Sequence, residues 1–393
     1  MERVRFGVIG VGGMGIAHAH LIQQSEEAEL VAVCSASAER TQQVAQQFGV
    51  PGFTDYREPI RNGLVDAVLI ATPHPSHAQI AEYAFQHGVH VLCEKPLAVS
   101  ISEGRRMVDS ARQNKCLLGA MLQMRTERHF RIAHRAVEEG VLGNLMRAQM
   151  IATWCRSQAY YQSASWRGTW AGEGGGVLIN QAPHQLDIFC WLAGLPQKVT
   201  AQIRTRYHRI EVEDEAFALL EYPNGAHGYI YVNVSEVPYT RHFEVVGEQG
   251  KVVLDGEQVS VVRIVPPIPQ YVEQAQDMWE VPATQTWDID LPPGETGHAA
   301  VIRNFARVVL GREEALIAPG EEALWSLELA NAFILSALRD KTVTLPLDGQ
   351  EYDALLQELR ASSQPKQSTQ EVRRTDPNIA KHIQLEQKAQ DEG

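Results

Sequence analysis

Gly10-Val-Gly12-Gly13-Met14-Gly15 follows the short apolar run Arg5 to Ile9 directly, and leads into Ile16, Ala19, Leu21 and Ile22 at helical spacing. Alone, a G-x-G-x-x-G run is a weak signal. Between a strand and a helix it confines the chain to a βαβ unit of the kind that binds dinucleotides. Gly10 permits the tight turn, Gly12 lets the backbone approach a pyrophosphate, and Gly15 lets helix pack close on strand. Gly13 and Met14 lie in the same loop, at the positive end of the helix. The competing reading is a glycine-rich turn with no ligand.

The alternation continues through residue 121. Leu30 to Cys34 reads as a second buried strand, Glu39 to Phe48 as a helix, and Ala67 to Ala71 and Val89 to Leu92 as further short strands. Ser100-Ile-Ser-Glu103 is a capping box that opens an amphipathic helix through Ala111, and Leu117 to Met121 closes the series. Strands alternating with helices predict a parallel sheet covered on both faces.

After about residue 145 the pattern becomes one of alternating runs: Met146 to Thr153, Val199 to Arg206, Ala216 to Tyr222, Gly228 to Val234, His242 to Val246 and Lys251 to Leu254. Turn signals at Pro223-Asn-Gly225 and Glu248-Gln-Gly250 predict an antiparallel meander. Residues 266 to 297 read as a long connection or lid, and Pro319 to Leu338 as one long amphipathic helix. The predicted fold class is α/β, with a Rossmann domain over residues 1–122. An α+β domain with a large, mostly antiparallel open sheet follows over 123–361, then a polar tail or arm over 362–393.

Bulk composition narrows the partners. A net charge of −13 argues against an extended nucleic-acid or membrane-surface partner. Cys34, Cys93, Cys116, Cys155 and Cys190 are scattered without a Cys-x-x-Cys pair, which favours free thiols in a reducing compartment. No apolar run approaches the roughly 18 residues of a membrane span, and no signal-peptide organisation precedes the glycines. A cytoplasmic location is expected.

The chemistry enters at Cys93-Glu94-Lys95-Pro96, where a buried strand ends and delivers an ammonium to the crevice of the sheet. A second constellation is Asn180-Gln-Ala-Pro-His184-Gln-Leu-Asp187, whose i, i+4, i+7 spacing puts three polar groups on one face of a helix. Pro183 suits a first helical turn, which leaves Asn180 just ahead of it. No His-Glu-x-x-His or cysteine cluster accompanies these residues, so no metal is expected. At the end of the second strand stands Ser35-Ala-Ser37-Ala-Glu39-Arg40, with no acid where an NAD site places one. Ser35, Ser37 and Arg40 can donate to a 2′-phosphate, so the cofactor is NADP or NAD with NADP favoured.

With these motifs on the page, the chain resembles the Gfo/Idh/MocA oxidoreductase family over about residues 4 to 360. The resemblance rests on the glycine run, Ala71-Thr72-Pro73 with His77, Glu94-Lys95-Pro96, Gly174-Gly-Gly176 leading to His184 and Asp187, Glu213-Asp-Glu215-Ala, and Val246-Gly247 with Gly250. The serine-arginine run is similar to the same segment of an NADPH-using member. The resemblance implies hydride transfer between a nicotinamide and a secondary alcohol or ketone of a sugar, inositol or glycoside. It implies Lys95 and His184 at the reacting carbon, and a homodimer or homotetramer built through the second sheet. Thr72, Pro73, His77, Glu94 and Lys95 are then expected to meet the cofactor alongside the glycine loop. Many members have Asp where this chain has Asn180.

Physical chemistry supports the same roles independently of the family. A lysine ammonium stabilises a developing alkoxide, a histidine exchanges protons near neutrality, and Asn180 orients groups by hydrogen bonds. His184 is expected as the base, with Lys95 polarising the carbonyl. Gln123, Arg125, Trp166 and Arg167, with Tyr160 and Tyr161 nearby, offer the amide, guanidinium and aromatic surfaces that a polyol requires; Asp187 reads as structural, and His298 opens a helix facing the pocket. Two alternatives stay open, a non-catalytic nucleotide or sugar sensor and a retained-cofactor epimerase or glycoside-cleaving enzyme.

Overall fold

The computed structural model describes residues 2–364 and residue 366. Six strands, β1 Val4–Ile9, β2 Ala28–Cys34, β3 Gly52–Phe53, β4 Ala67–Ile70, β5 His90–Cys93 and β6 Leu118–Ala120, form one sheet in the order β3-β2-β1-β4-β5-β6. Every pairing in it is parallel. Both faces are covered, so β4 and the core of β5 are continuous apolar runs. Strand order reverses between β1 and β4, and the crevice for ligand opens beyond their carboxyl ends.

The second sheet has nine strands: β7 Leu145–Thr153, β8 Lys198–Arg204, β9 Glu215–Glu221, β10 His227–Asn233, β11 Arg241–Gly247, β12 Gly250–Asp255, β13 Gln258–Val265, β14 Ala283–Thr286 and β15 Val343–Thr344. Their order is β14-β13-β12-β11-β7-β10-β9-β8-β15. The expected simple meander is thus corrected. β7 comes first in the chain but sits in the middle, antiparallel to β11 and parallel to β10. The chain leaving β10 must therefore pass β7 to pair on its far side. Within the stretch read as a connection, Ile268–Gln274 is a helix and β14 adds an edge strand to β13. All four residues of β14 are exposed, so no apolar alternation marks it.

The helix Gly320–Arg339 joins the two layers. The long helix read over Pro319 to Leu338 forms, and it is buried all round from Ser326 to Ser336 rather than along one face. It packs on β8, on the helix Pro183–Ala193 and on the helix Ile101–Gln113, whose capping box is formed as read. One apolar core accordingly runs from β5 and β6 through Leu327, Ala330, Phe333 and Ile334 into the second sheet. Asn331 is buried within it; its Oδ1 accepts from Ile101 N at 2.8 Å and its Nδ2 donates to Val99 O at 3.1 Å. It thereby fixes the loop that follows Lys95.

The expected tail, residues 362–393, lies outside the described residues except for Ser362, Ser363, Gln364 and Lys366. Ser363 Oγ and Gln364 N donate to Glu211, and Lys366 Nζ donates to the carbonyls of Tyr161 and Ala164.

Candidate active site

The glycine loop has the geometry its sequence requires. Gly10 has φ +97°, and a Cβ there would stand 2.5 Å from Ala71 O. A Cβ on Gly15 would lie 1.8 Å from Gly10 O, so helix and turn touch only because both residues are glycine. Around Gly12 the corresponding space is open, with nothing within 4 Å. Gly12 caps the helix Gly13–Gln24 without a side-chain bond, leaving its first N–H groups directed outward. These residues, with Gly13 and Met14, fit a pyrophosphate. Thr72 and Pro73 stand beside them at the end of β4, Thr72 Oγ1 accepting from Ser76 Oγ at 2.8 Å. At the adenosine end, Ser37 caps the helix Ala38–Phe48, and Ser35 Oγ receives Ser37 N at 3.4 Å. Arg40 N donates to Ser37 Oγ, and this whole corner faces solvent.

Two residues expected at the cofactor are engaged elsewhere. His77 is fully buried, and its two ring nitrogens meet the carbonyls of Thr72 and Pro96, each at 2.9 Å. It is a pin between the ends of β4 and β5, with no face left for a nucleotide. Glu94 turns inward as well. Its Oε1 lies 2.6 Å from His18 Nε2 and its Oε2 accepts from Lys95 N at 3.0 Å. Burial alone would raise this carboxyl, but the hydrogen bond and charge of His18 outweigh it and hold the group at about 2. Glu94 is therefore an ionised clamp on the lysine loop.

Lys95 Nζ reaches across to the second domain and donates to Asn180 O at 2.8 Å. Burial lowers its pKa, and Glu94 and Glu173 oppose that shift while Arg167 adds to it. Asn180 lies in a short π-turn, Val177–Gln181, ahead of the helix Pro183–Ala193, as Pro183 at the first helical turn implies, so residues 180, 184 and 187 do not share one continuous helix. Its side chain donates to Tyr160 Oη at 3.1 Å and to Glu173.

His184 opens that helix close enough to Lys95 to feel its charge. Burial pushes the imidazole down to about 3, and the lysine adds in the same direction. Its Nε2 stands 3.4 Å from Gln123 Nε2, while its Nδ1 is buried without a protein partner. His298, on the helix Gly297–Val309, belongs to the same cluster: its ring lies 5.4 Å from that of His18, and its charge acts on both Glu94 and His184.

Arg125 is a correction. The sequence places it in the crevice, but the structure buries it. Nε and Nη2 meet Asp187 at 2.8 and 2.7 Å, and Nη1 is held by Glu322 and the carbonyl of Ile317. Four of its five N–H donors are engaged within the protein and the side chain is fully buried, so it is not presented to the crevice; Asp187, as read, is structural.

The mouth of the site is aromatic and cationic. The Arg167 guanidinium lies 4.4 Å from the Trp166 ring centre and 4.5 Å from that of Tyr160, and donates to Tyr160 Oη at 2.6 Å. Tyr161 is buried beneath it. Three groups go unread from the sequence: His18, His74 and Glu173. His74 is buried, donates through Nδ1 to Glu173 O at 3.2 Å, and is pushed down to about 3 chiefly by burial. Position offers a signal only for His18, one turn past Gly15 on the face that meets the sheet.

Comparison with known proteins agrees with this geometry. Residues 4–122 match the model described as "Oxidoreductase family, NAD-binding Rossmann fold", and residues 130–253 match the GFO/IDH/MocA C-terminal domain. An inositol 2-dehydrogenase of Rubrobacter xylanophilus is 30% identical over 67% of this chain and 74% of its own. An uncharacterized oxidoreductase of Streptococcus pneumoniae is 25% identical over 87% of this chain and 98% of its own. Among solved structures, the WlbA dehydrogenase of Bordetella pertussis in complex with NADH and UDP-GlcNAcA superposes with a TM-score of 0.74 at 30% identity, covering 88% of this chain and all of that one.

Proposed function

The chain belongs to the GFO/IDH/MocA family of NAD-dependent oxidoreductases, and from that premise we propose that it moves a hydride between a nicotinamide nucleotide and a secondary alcohol or ketone of a sugar, inositol or glycoside. One observation carries the reading: a half-buried lysine, aimed from the end of a Rossmann strand, donates to the π-turn of the other domain at Asn180 O, close enough to His184 for its charge to act on the imidazole. When bound, the nicotinamide supplies the hydride acceptor or donor; Gly10, Gly12, Gly13, Met14, Gly15, Thr72 and Pro73 would hold the nucleotide.

The chain's own residues divide the remaining work. Lys95, its pKa lowered by burial, stabilises alkoxide character at the substrate oxygen and passes the proton. His184, which burial keeps neutral, suits a hydrogen bond to a substrate hydroxyl better than the base role expected of it. Gln123, Trp166, Arg167 and the Tyr160 hydroxyl border the substrate ring. Ser35, Ser37 and Arg40 favour NADP, because no carboxylate stands at the end of β2 to repel a 2′-phosphate. We place the protein in the cytoplasm as a homo-oligomer joined through the outer face of the second sheet, where Leu219 of β9 is exposed.

The test is to mix the purified protein with NADP+ or NAD+ and a panel of inositols, levoglucosan and nucleotide-linked sugars, and to follow reduced cofactor by absorbance. Reduction with at least one polyol, faster with NADP+, is expected. No reduction with any of them, in either cofactor, overturns the assignment.

A further inference from the structure

Glu173 is buried beneath the proposed reacting corner and makes no ion pair among the described residues. Its Oε2 accepts from Gly168 N at 2.5 Å, and its Oε1 accepts the amide of Asn180. Asn180 is in turn the residue whose carbonyl takes the Lys95 ammonium. A carboxylate, an amide and an ammonium thus form one chain of contacts running from the floor of the site to its reacting group. Of the carboxylates that act on Lys95, Glu94 is clamped by His18, whereas Glu173 touches the lysine's own acceptor residue. Buried polar groups linked this way are worth more together than singly, since each leaves the next unsatisfied if removed.

We propose that Glu173 is a positioning residue of the reaction, which fixes Asn180 so that its carbonyl receives Lys95, and which supplies counter-charge to that ammonium. The proposal rests on the role of Lys95 given above and extends it to a residue that never meets substrate. Groups facing Glu173 are Arg167 on its own loop, Tyr160 and Tyr161 from the short helix Gln158–Gln162, Asn180 from the π-turn, Lys95, Lys366 and Glu213, while His74 bonds its backbone carbonyl. Burial raises its carboxyl to about 7 against the pull of Arg167. Its charge is accordingly present above neutrality and lost as pH falls through about 7, and the support it gives Lys95 is lost with it.

Competitive labelling with acetic anhydride reads the lysine directly. Only the neutral amine reacts, so the fraction of Lys95 acetylated against pH, measured by mass spectrometry of its peptide, gives the lysine's midpoint. Glu173→Gln keeps the shape and removes the charge; the midpoint falls by about one pH unit, roughly tenfold faster labelling at a fixed pH below it. Glu173→Gln combined with Asn180→Asp moves the charge across the hydrogen bond and restores the midpoint. Asn180→Ala cuts the link between Glu173 and the lysine's acceptor and lowers the midpoint in the same sense, a readout that stands even if Glu173→Gln does not fold.

An unmoved midpoint in Glu173→Gln or in Asn180→Ala overturns the proposal, as does a double variant as shifted as Glu173→Gln alone. Labelling needs no substrate. A protein that oxidises no polyol yet shows these shifts refutes the assigned reaction and leaves the Glu173 inference standing.

Discussion

The two ends of the cleft are built on opposite terms. At the proposed adenosine end, Ser35, Ser37 and Arg40 are exposed or half-exposed around a helix cap, and their side-chain contacts are weak ones of 3.4 Å within a few residues of chain. At the proposed reacting end, Glu94, Asn180 and Glu173 are buried and Lys95 and His184 half-buried, and each is bonded or charge-coupled to a group from another segment. The first arrangement lets one side chain change with little effect on its neighbours. The second binds every residue to the others, because an unpaired buried polar or charged group is costly. Cofactor preference is therefore locally adjustable, whereas the chemistry is a property of the assembly.

The largest effect that contrast predicts is at Lys95. Replacement by Ala should lower kcat on the order of 10²–10³-fold, with nucleotide affinity unchanged in a fluorescence titration; a loss below tenfold would erase the distinction. Arg125→Ala, a few residues from the cleft, should destabilise the protein by about 3–5 kcal/mol in urea unfolding, since it strands Asp187 as an uncompensated buried charge. A variant as stable as the parent would show that the pair is dispensable.

Acidification probes the same buried set with less force. His74 and His184 are held to about 3 in the fold, so they contribute stability above their ordinary 6.5 that is lost as pH falls through 6.5 towards 3. Glu173 and Glu213 are pushed up to about 7, so they oppose folding at neutral pH and release that cost as pH falls from 7 towards 4.5. Glu94, held at about 2, is lost only below 4.5. Urea midpoints should hence stay nearly level from pH 7 to 4.5 and drop steeply below. A steady decline from pH 7 would mean the two glutamates are ionised. The smallest change is Ser35→Asp, which should move the NADP/NAD ratio of kcat/KM towards NAD by about tenfold without shifting the melting temperature. Undiminished NADP use would place the selectivity elsewhere.

Legibility in the sequence follows the same divide. The glycine loop, the Ser100–Glu103 cap and the arrival of Lys95 at a strand end can be read because each depends on residues next to it in the chain. Arg125 misleads because Asp187 lies 62 positions away, and a guanidinium reads alike whether it meets a ligand or an internal acid. His18 and Glu94 are 76 positions apart. Glu173 sits only seven residues from Asn180, yet the π-turn that joins them has no periodic signature. β7 is visible as a strand, but its place at the centre of the sheet depends on pairing order, which alternation does not encode.

The helix Gly320–Arg339, wedged along both sheets with Asn331 stitched to the lysine loop, acts as a keel. Such a spine runs one buried core through both sheets, so the two are expected to move together rather than hinge apart. Under the proposed reaction, entry and release are then expected at the largely half-exposed rim around Tyr160 to Arg167.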